Sequence, residues 1–469
     1  MIFVKDQQNM SSIKPSIPKG TRDFSPVVIS KRNYLKAQLA SVFESFGFQP
    51  IETPSFERSE TLLGKYGEEG DRLIFKILNS GEKIKNIDLQ ALQNGELSKF
   101  SNSLSQKALR YDLTVPFARY VAQYQNDIVF PFRRYQMQTV WRADRPQHGR
   151  FQEFLQCDAD VVGERSLWNE VEGILLYDRA FTMLDLKGVQ VHLNHRKILA
   201  GVAQLIGAES QFMDFTVALD KLSKIGKDGV IKLLHSQGFS SSAIERLKPF
   251  LSLEGNFETK LVSVAKALEG IEIAEEGINE LKFIYNQLNR QSLKVVNLKF
   301  DITLARGLNY YTGLILEVMP PEGIKMGSIG GGGRYDNLTD FFGLNNTSGF
   351  GISFGFDRIF LVLEELNLFP SNLDEKVKLM FSNFGDDSVI FCFDQLIKLR
   401  DKHFPCELYP KPVKLKKQLN YANERSIPNV VILGSEELQK KVFVLKNMVS
   451  GKQTEYHIDQ MFDILIDLA

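Results

Sequence analysis

Cysteine is scarce in this 469-residue chain: Cys157, Cys392 and Cys406 are odd in number, far apart and without a C-x-x-C spacing. That argues against a disulfide framework and a zinc cluster, and makes a reducing cytoplasm the expected compartment. Long apolar runs are missing too. Nothing reaches membrane-spanning length, and the opening "MIFVKDQQNMSSIKPS" lacks the apolar core of a signal peptide. Residues 1–15 are therefore expected to form a disordered extension, and no membrane partner is expected. Net charge is absent, since 57 Lys and Arg balance 57 Asp and Glu. A nucleic-acid partner must then be met by local basic patches and not by a global field. Neither a G-x-x-x-x-G-K-[ST] loop nor a Rossmann fingerprint after a strand occurs, which disfavours the usual parallel-sheet nucleotide folds. The one close histidine pair, in "HLNH" at 192–195, lies where Val189, Val191 and Leu193 alternate like a strand. Asn194 is expected to cap the helix that follows, and no metal site is expected there.

What is there begins with residues 141–163, "WRADRPQHGRFQEFLQCDADVVG". Leu155, Cys157, Ala159 and Val161 alternate with Phe154, Gln156, Asp158 and Asp160, the period-two pattern of a strand with two unlike faces. Upstream, Tyr135, Met137, Thr139 and Trp141 alternate with Gln136, Gln138, Val140 and Arg142, and Pro146 and Gly149 mark a turn between the two runs. A long antiparallel hairpin follows, its polar face holding Arg142, Gln156 and Asp160 together. A solvated outer face with ordinary salt bridges fits this pattern as well.

At this length two to four domains are expected. A helix over 28–46 carries Leu35, Leu39, Val42, Phe43 and Phe46 on one stripe, with Gly47 as its stop, and a short strand follows in "FQPIETPSFE". Residues 84–106 are polar and weakly patterned, a surface excursion. "LRYDLTVPFARYVAQY" turns from strand to helix at Pro116. From about 208 to 290 short amphipathic helices take over, as in "GINELKFIYNQLNR"; strand patterning then returns at "LKFDITLARGLNYYTGLILEVM" and continues through "GSIGGGGRYDNL", and residues 376–469 resume a strand and helix alternation suited to a small α/β domain.

Three further stretches carry candidate chemistry. In "GFGISFGFDR", Gly349, Gly351, Ser353 and Gly355 alternate with Phe350, Ile352, Phe354 and Phe356, a strand face cleared for a flat ligand. Asp357 is expected to start the next helix with Arg358 in its first turn, where a cation is tolerated beside an anion or a stacked ring. A tightly packed strand crossing with a surface arginine would read the same. "RGLNYYTG" at 306–313 sets an arginine and two tyrosines at a bend, suited to an amphipathic ligand and a phosphate or carboxylate. "GSIGGGGRYD" allows close backbone approach, although a glycine run is more often a flexible loop than a site. Several arginines facing one site suggest a triphosphate, and carboxylates beside them an amine or imidazole.

These residues resemble a known family. The hairpin resembles motif 2 of class II aminoacyl-tRNA synthetases and "GFGISFGFDR" their motif 3. "RGLNYYTG" and "GGGGRYDNL" look like the two signature peptides of the histidyl-tRNA synthetase family, with "PKGTRDFSP" and "YDLTVPFARY" matching its opening and substrate-loop segments. The similarity spans roughly residues 15–469. It implies an α+β fold, an antiparallel sheet flanked by helices, with a helical insertion and a C-terminal α/β anticodon-binding domain. The implied layout is 16–207 and 293–370 for the catalytic domain, 208–292 for the insertion against the tRNA acceptor arm, and 376–469 for the anticodon domain.

The implied activity is ligation of L-histidine to its tRNA through a histidyl-adenylate, with ATP as substrate, Mg²⁺ accompanying it, and no metal held by side chains. By the same resemblance Arg142 holds the α-phosphate, Phe154 stacks on adenine, and Arg358 clamps the adenine and γ-phosphate end. Asp112, Thr114 and Gln156 hold the ammonium and orient the carboxylate of histidine. Asp160 accepts from the imidazole N–H, Tyr310 and Tyr311 complete that pocket, and Arg306 stands beside the α-phosphate. Asn309 departs from the family's usual aspartate. The helix at 28–46 and the strand ending at Pro54 resemble motif 1, which implies a homodimer. Segment 398–417 has seven Lys or Arg against two acidic residues, 7 − 2 = +5, and suits a phosphate backbone or simply solvent. The competing readings are a non-catalytic paralogue, the regulatory subunit of ATP phosphoribosyltransferase, and a stand-alone RNA-binding module with a degenerate site.

Overall fold

The computed structural model describes residues 14–305, 310–371, 373, 377–385 and 387–468. They fall into two compact units, one holding the residues up to Phe24 with 32–368 and the other 25–31 with those from Phe369 onward. The extension expected at 1–15 lies almost wholly outside the described residues, as do Arg306 and Asn309.

In the first unit an eight-stranded sheet is built from β1 (Gln49–Pro50), β2 (Phe132–Trp141), β3 (Glu153–Val162), β4 (Val189–His195), β5 (Val296–Phe300), β6 (Leu314–Met319), β7 (Gly330–Tyr335) and β8 (Gly349–Phe354). Their spatial order is β1-β2-β3-β8-β7-β6-β4-β5, antiparallel except at the two edge pairs. The main helices are α1 (Pro26–Ser45), α2 (Thr114–Gln123), α3 (Trp168–Met183) and α4 (Arg196–Ile206), then α5 (Glu272–Arg290) and α6 (Phe356–Glu365).

The expected hairpin forms. β2 and β3 pair from Phe132 with Val162 to Trp141 with Glu153. Leu155, Cys157, Ala159 and Val161 are buried on one face, where Tyr135 stacks on Phe43 of α1 at 5.2 Å. Leu35, Leu39, Val42 and Phe43 of α1 are buried as the stripe requires, and Gly47 ends the helix region at φ +78°. The polar face is not solvated: Arg134, Gln136, Gln156, Asp158 and Asp160 are all buried.

The strand patterning expected through the glycine run is met: residues 330–333 open strand β7 in the middle of the sheet. A Cβ at Gly332 would come within 2.3 Å of the Gly351 carbonyl oxygen, so the run permits a close strand crossing. Over it, the Tyr177 hydroxyl of α3 donates to the carbonyl of Ser353 at 2.7 Å and accepts from Gly331 N at 3.0 Å. Asn194 does not cap α4. It lies inside β4, and its amide donates to the carbonyls of Ile302 and Leu304, while His195 takes the cap position and accepts from Lys197 N at 3.2 Å.

Between α4 and β5 the chain is helical, with further helices at Phe212–Asp220, Leu222–Ser236, Ser241–Leu247 and Phe257–Ala267 before α5. α5 buries Ala274, Ile278, Leu281, Ile284 and Leu288, and Ala274 lies so close to α4 that a Cβ at Gly201 would meet its side chain at 2.4 Å. Residues 84–106 form short helices with Leu89 and Leu97 exposed, a surface excursion as expected.

The second unit is α/β. Its five strands lie in the order Cys406–Leu408, Leu379–Phe381, Asn429–Ile432, Val442–Asn447 and Gln453–His457. The first three are parallel and the last two antiparallel. Leu379, Phe381, Leu396, Leu399, Val431, Phe443, Met461 and Leu465 form a core of their own.

Candidate active site

A cavity of about 390 Å³ opens over the polar face of the first sheet. Asp112 and Thr114 at the head of α2, Arg142, Phe154 and Gln156 of the hairpin, Tyr310 and Tyr311 before β6, and Arg358 of α6 all line it. Eight of the ten expected site residues thus share one wall. Of the others, Arg306 lies outside the described residues and Asp160 sits behind the wall.

Each side chain is aimed by its element. Arg142 follows β2 directly; its Nε donates to the Tyr111 carbonyl at 3.0 Å, and its guanidinium lies 4.3 Å from the Tyr111 ring centre and 5.3 Å from that of Phe154. These partners are neutral, so the charge remains directed at the cavity. Arg358 Nε donates to the Gly149 carbonyl at 2.9 Å and Nη1 to that of Ser328 at 2.6 Å, tying α6 to the hairpin turn. Asp112 Oδ1 accepts from the Tyr66 hydroxyl at 2.7 Å and from Val115 N at 3.2 Å, while Oδ2 is buried without a hydrogen-bond partner. Burial raises this carboxyl above the usual range, against the pull of the Tyr66 hydrogen bond and of Arg142.

Asp160 is placed differently from the expectation that it reads the ligand directly. Its Oδ1 accepts from the Tyr335 hydroxyl at 2.7 Å, and Arg134 Nη2 stands 2.8 Å from Oδ2. The glycine-relieved face of β8 is likewise partly covered by protein. A Cβ at Gly349 would meet the Tyr335 ring at 2.2 Å and one at Gly351 the Asp160 carboxylate at 2.1 Å, which leaves only the Ser353 end on the cavity wall. The helix after β8 starts at Phe356, one residue earlier than expected. Asp357 faces inward, accepting from Arg22 at 2.7 Å, Arg32 at 2.5 Å and Leu155 N at 3.1 Å.

Residues that sequence reasoning did not assign also line the cavity, among them Asp144, Arg150, Glu317 and Ser353. Glu317 had a signal, as a charge interrupting the apolar run "LILEVM"; Arg150 lay in the quoted turn beside Gly149. Tyr66, Arg134 and Asp158 lie behind the wall; Asp158 had the alternation of the polar strand face as its signal, and the other two had none.

An antiparallel sheet with an arginine-bearing hairpin beside a glycine-relieved strand and its helix defines a class II aminoacyl-tRNA synthetase core. Comparisons with known proteins refine this. The histidyl-tRNA synthetase family model matches residues 20–85 and 88–359, and an anticodon binding domain model matches 394–468. The chain belongs to the histidyl-tRNA synthetase family. It is 57% identical over 441 residues to the histidine–tRNA ligase of Christiangramia forsetii, covering 94% of this chain and 97% of the relative. With that of Flavobacterium johnsoniae the identity is 53% over 471 residues, covering 97% and 99%. A crystal structure of histidyl-tRNA synthetase from a Nostoc species superposes with a TM-score of 0.78 at 27% identity, covering 97% of this chain and 100% of that one. These matches do not favour the regulatory-subunit reading.

Proposed function

We propose that the protein is a histidine–tRNA ligase that activates L-histidine with ATP, releasing pyrophosphate, and then transfers histidine from the adenylate to the 3′ end of its tRNA. The observation that carries this is the polarity of the one cavity wall. Asp112 and Gln156 on it suit an ammonium group, whereas Arg142 and Arg358 offer cations for a polyphosphate.

In the first step a histidine carboxylate oxygen attacks the α-phosphorus, the bond to the β-phosphate oxygen breaks, and pyrophosphate leaves with that electron pair. No protein nucleophile is needed, because positioning and charge stabilisation suffice. Arg142 holds the α-phosphate, with Arg306 beside it. Phe154 stacks on adenine, and Arg358 binds the adenine and γ-phosphate end. Asp112, Thr114 and Gln156 hold the amino acid, Tyr310 and Tyr311 wall the imidazole, and Asp160 behind them is the carboxylate for its N–H. Among the described residues no cluster of three His, Cys, Asp or Glu side chains forms a metal cage. Mg²⁺ arrives with ATP as part of the substrate and neutralises its phosphate charge.

The rest of the layout belongs to the same reading. Residues 16–207 and 293–370 form the catalytic domain, 208–292 the insertion lying against the acceptor arm, and 376–469 the anticodon-binding domain. The protein acts in the cytoplasm as a homodimer through the motif 1 region. ATP–pyrophosphate exchange without tRNA, run with each of the twenty amino acids, tests the reaction. Exchange with histidine alone is the expected result, and silence with all twenty beside calorimetric histidine binding overturns it.

A further inference from the structure

Behind the wall lie more polar groups than that reaction uses. Gln156 Nε2 donates to Asp158 Oδ2 at 2.7 Å, while Gln156 Oε1 and Asp158 Oδ1 are buried with no hydrogen-bond partner. Gln156 lines the cavity and Asp158, 2% exposed, does not. An ionised carboxylate only accepts hydrogen bonds, so it holds the amide with its nitrogen inward and its oxygen free. A protonated carboxyl donates instead, which favours the amide turned over with its NH₂ group free. The two orientations treat a substrate ammonium oppositely: the oxygen accepts from it, and the NH₂ group repels it.

We propose that Asp158 is a positioning residue for the amino-acid end of the site, fixing which end of the Gln156 amide meets the substrate's ammonium group. The inference rests on the histidine-activating reading and adds to it a residue that reading leaves without work. The surroundings make the carboxyl changeable near neutrality. The carboxyl is raised to about 7 in all: burial pushes it up, Arg134 on β2 pulls it down, Asp160 on its own strand pushes it up, Ser353 of β8 lowers it, and Asp112 at the head of α2 raises it. Tyr177 and Tyr311 also face it, and burial keeps both phenols neutral. Arg134 is one cation beside two carboxylates, and its close contact is with Asp160.

The test is the histidine KM in ATP–pyrophosphate exchange at about pH 6 and about pH 8 for the wild type, Asp158→Asn and Asp158→Leu. The substrate imidazole titrates identically in all three and divides out of the comparison. The ratio of KM between the two pH values is expected to be about five- to tenfold larger in the wild type than in Asp158→Asn, the equivalent of about one ordinary hydrogen bond. Asp158→Leu should raise the histidine KM about tenfold at the higher pH and leave the ATP KM within about twofold. Equal pH ratios in the wild type and Asp158→Asn overturn the proposal, as does an unchanged histidine KM in Asp158→Leu. If the leucine variant does not fold, the asparagine ratio decides alone. A wild type that exchanges with no amino acid removes the reaction assigned above, and calorimetric titration of histidine into the same proteins then reads the amide orientation without chemistry.

Discussion

Arg142 is packed between the rings of Tyr111 and Phe154 and anchored through one backbone carbonyl. A guanidinium held this way needs little reorganisation when charge develops on a phosphate. Arg142→Ala is expected to lower the rate of adenylate formation by roughly 10²- to 10³-fold with the fold intact, and wild-type exchange in that variant would remove Arg142 from the reaction. Arg306→Ala is expected to abolish adenylation in the same assay. Asp158 makes a separate prediction about stability. Its folded value, about 7, is raised above the ordinary value of about 3.9. The stability it contributes is therefore present in full below about pH 4 and lost as pH rises toward about 7. The melting temperature of Asp158→Asn minus that of the wild type should grow across this window, and a difference constant with pH would contradict it.

At the scale of elements, the opening segment pins the hairpin. The Gly20 carbonyl accepts from Gln152 N at 2.9 Å, the Arg22 guanidinium lies 3.3 Å from the Phe151 ring centre, and the same arginine pairs with Asp357 of α6. Phe151 and Asp357 both belong to the cavity lining, so this clamp borders the part of the wall that the proposed reading gives to ATP. Arg22→Ala should raise the ATP KM about tenfold and leave the histidine KM nearly unchanged, a split that general destabilisation does not produce. Equal changes in both constants would make the clamp merely structural. The hairpin and α1 were legible because their apolar positions keep a strict period. β7 was legible as a strand too, but its four glycines carry no side-chain pattern that says what they relieve, and the close crossing with Gly351 explains them. Asn194 misled because a cap and a buried strand amide look alike until the 302–304 segment comes alongside. The pairing of Arg134 with Asp160 was hidden for the same reason: which carboxylate faces the ligand and which is held by an arginine depends on cross-strand register and on Tyr335, 175 residues away.

On the scale of the whole chain, the two units have separate cores. Leu379, Phe381, Val431 and Phe443 lie in one of the second unit's clusters and Met380, Val430 and Ala422 in another, whereas the cavity wall is drawn entirely from the first unit. Adenylate formation needs only histidine, ATP and that wall. Charging needs the tRNA as well, and the anticodon binding domain match falls within the second unit at residues 394–468. Its basic segment, Lys398 to Lys417, sits on and around the helices Asp387–Asp401 and Leu415–Glu424, and phosphate contacts from such a segment lose strength steeply with salt. Deleting residues 376–469 should therefore leave pyrophosphate exchange within a few-fold of wild type while lowering tRNA charging at sub-saturating tRNA by about 10²-fold or more. Equal loss of both activities would mean that the second unit supports the site itself and not the hold on tRNA.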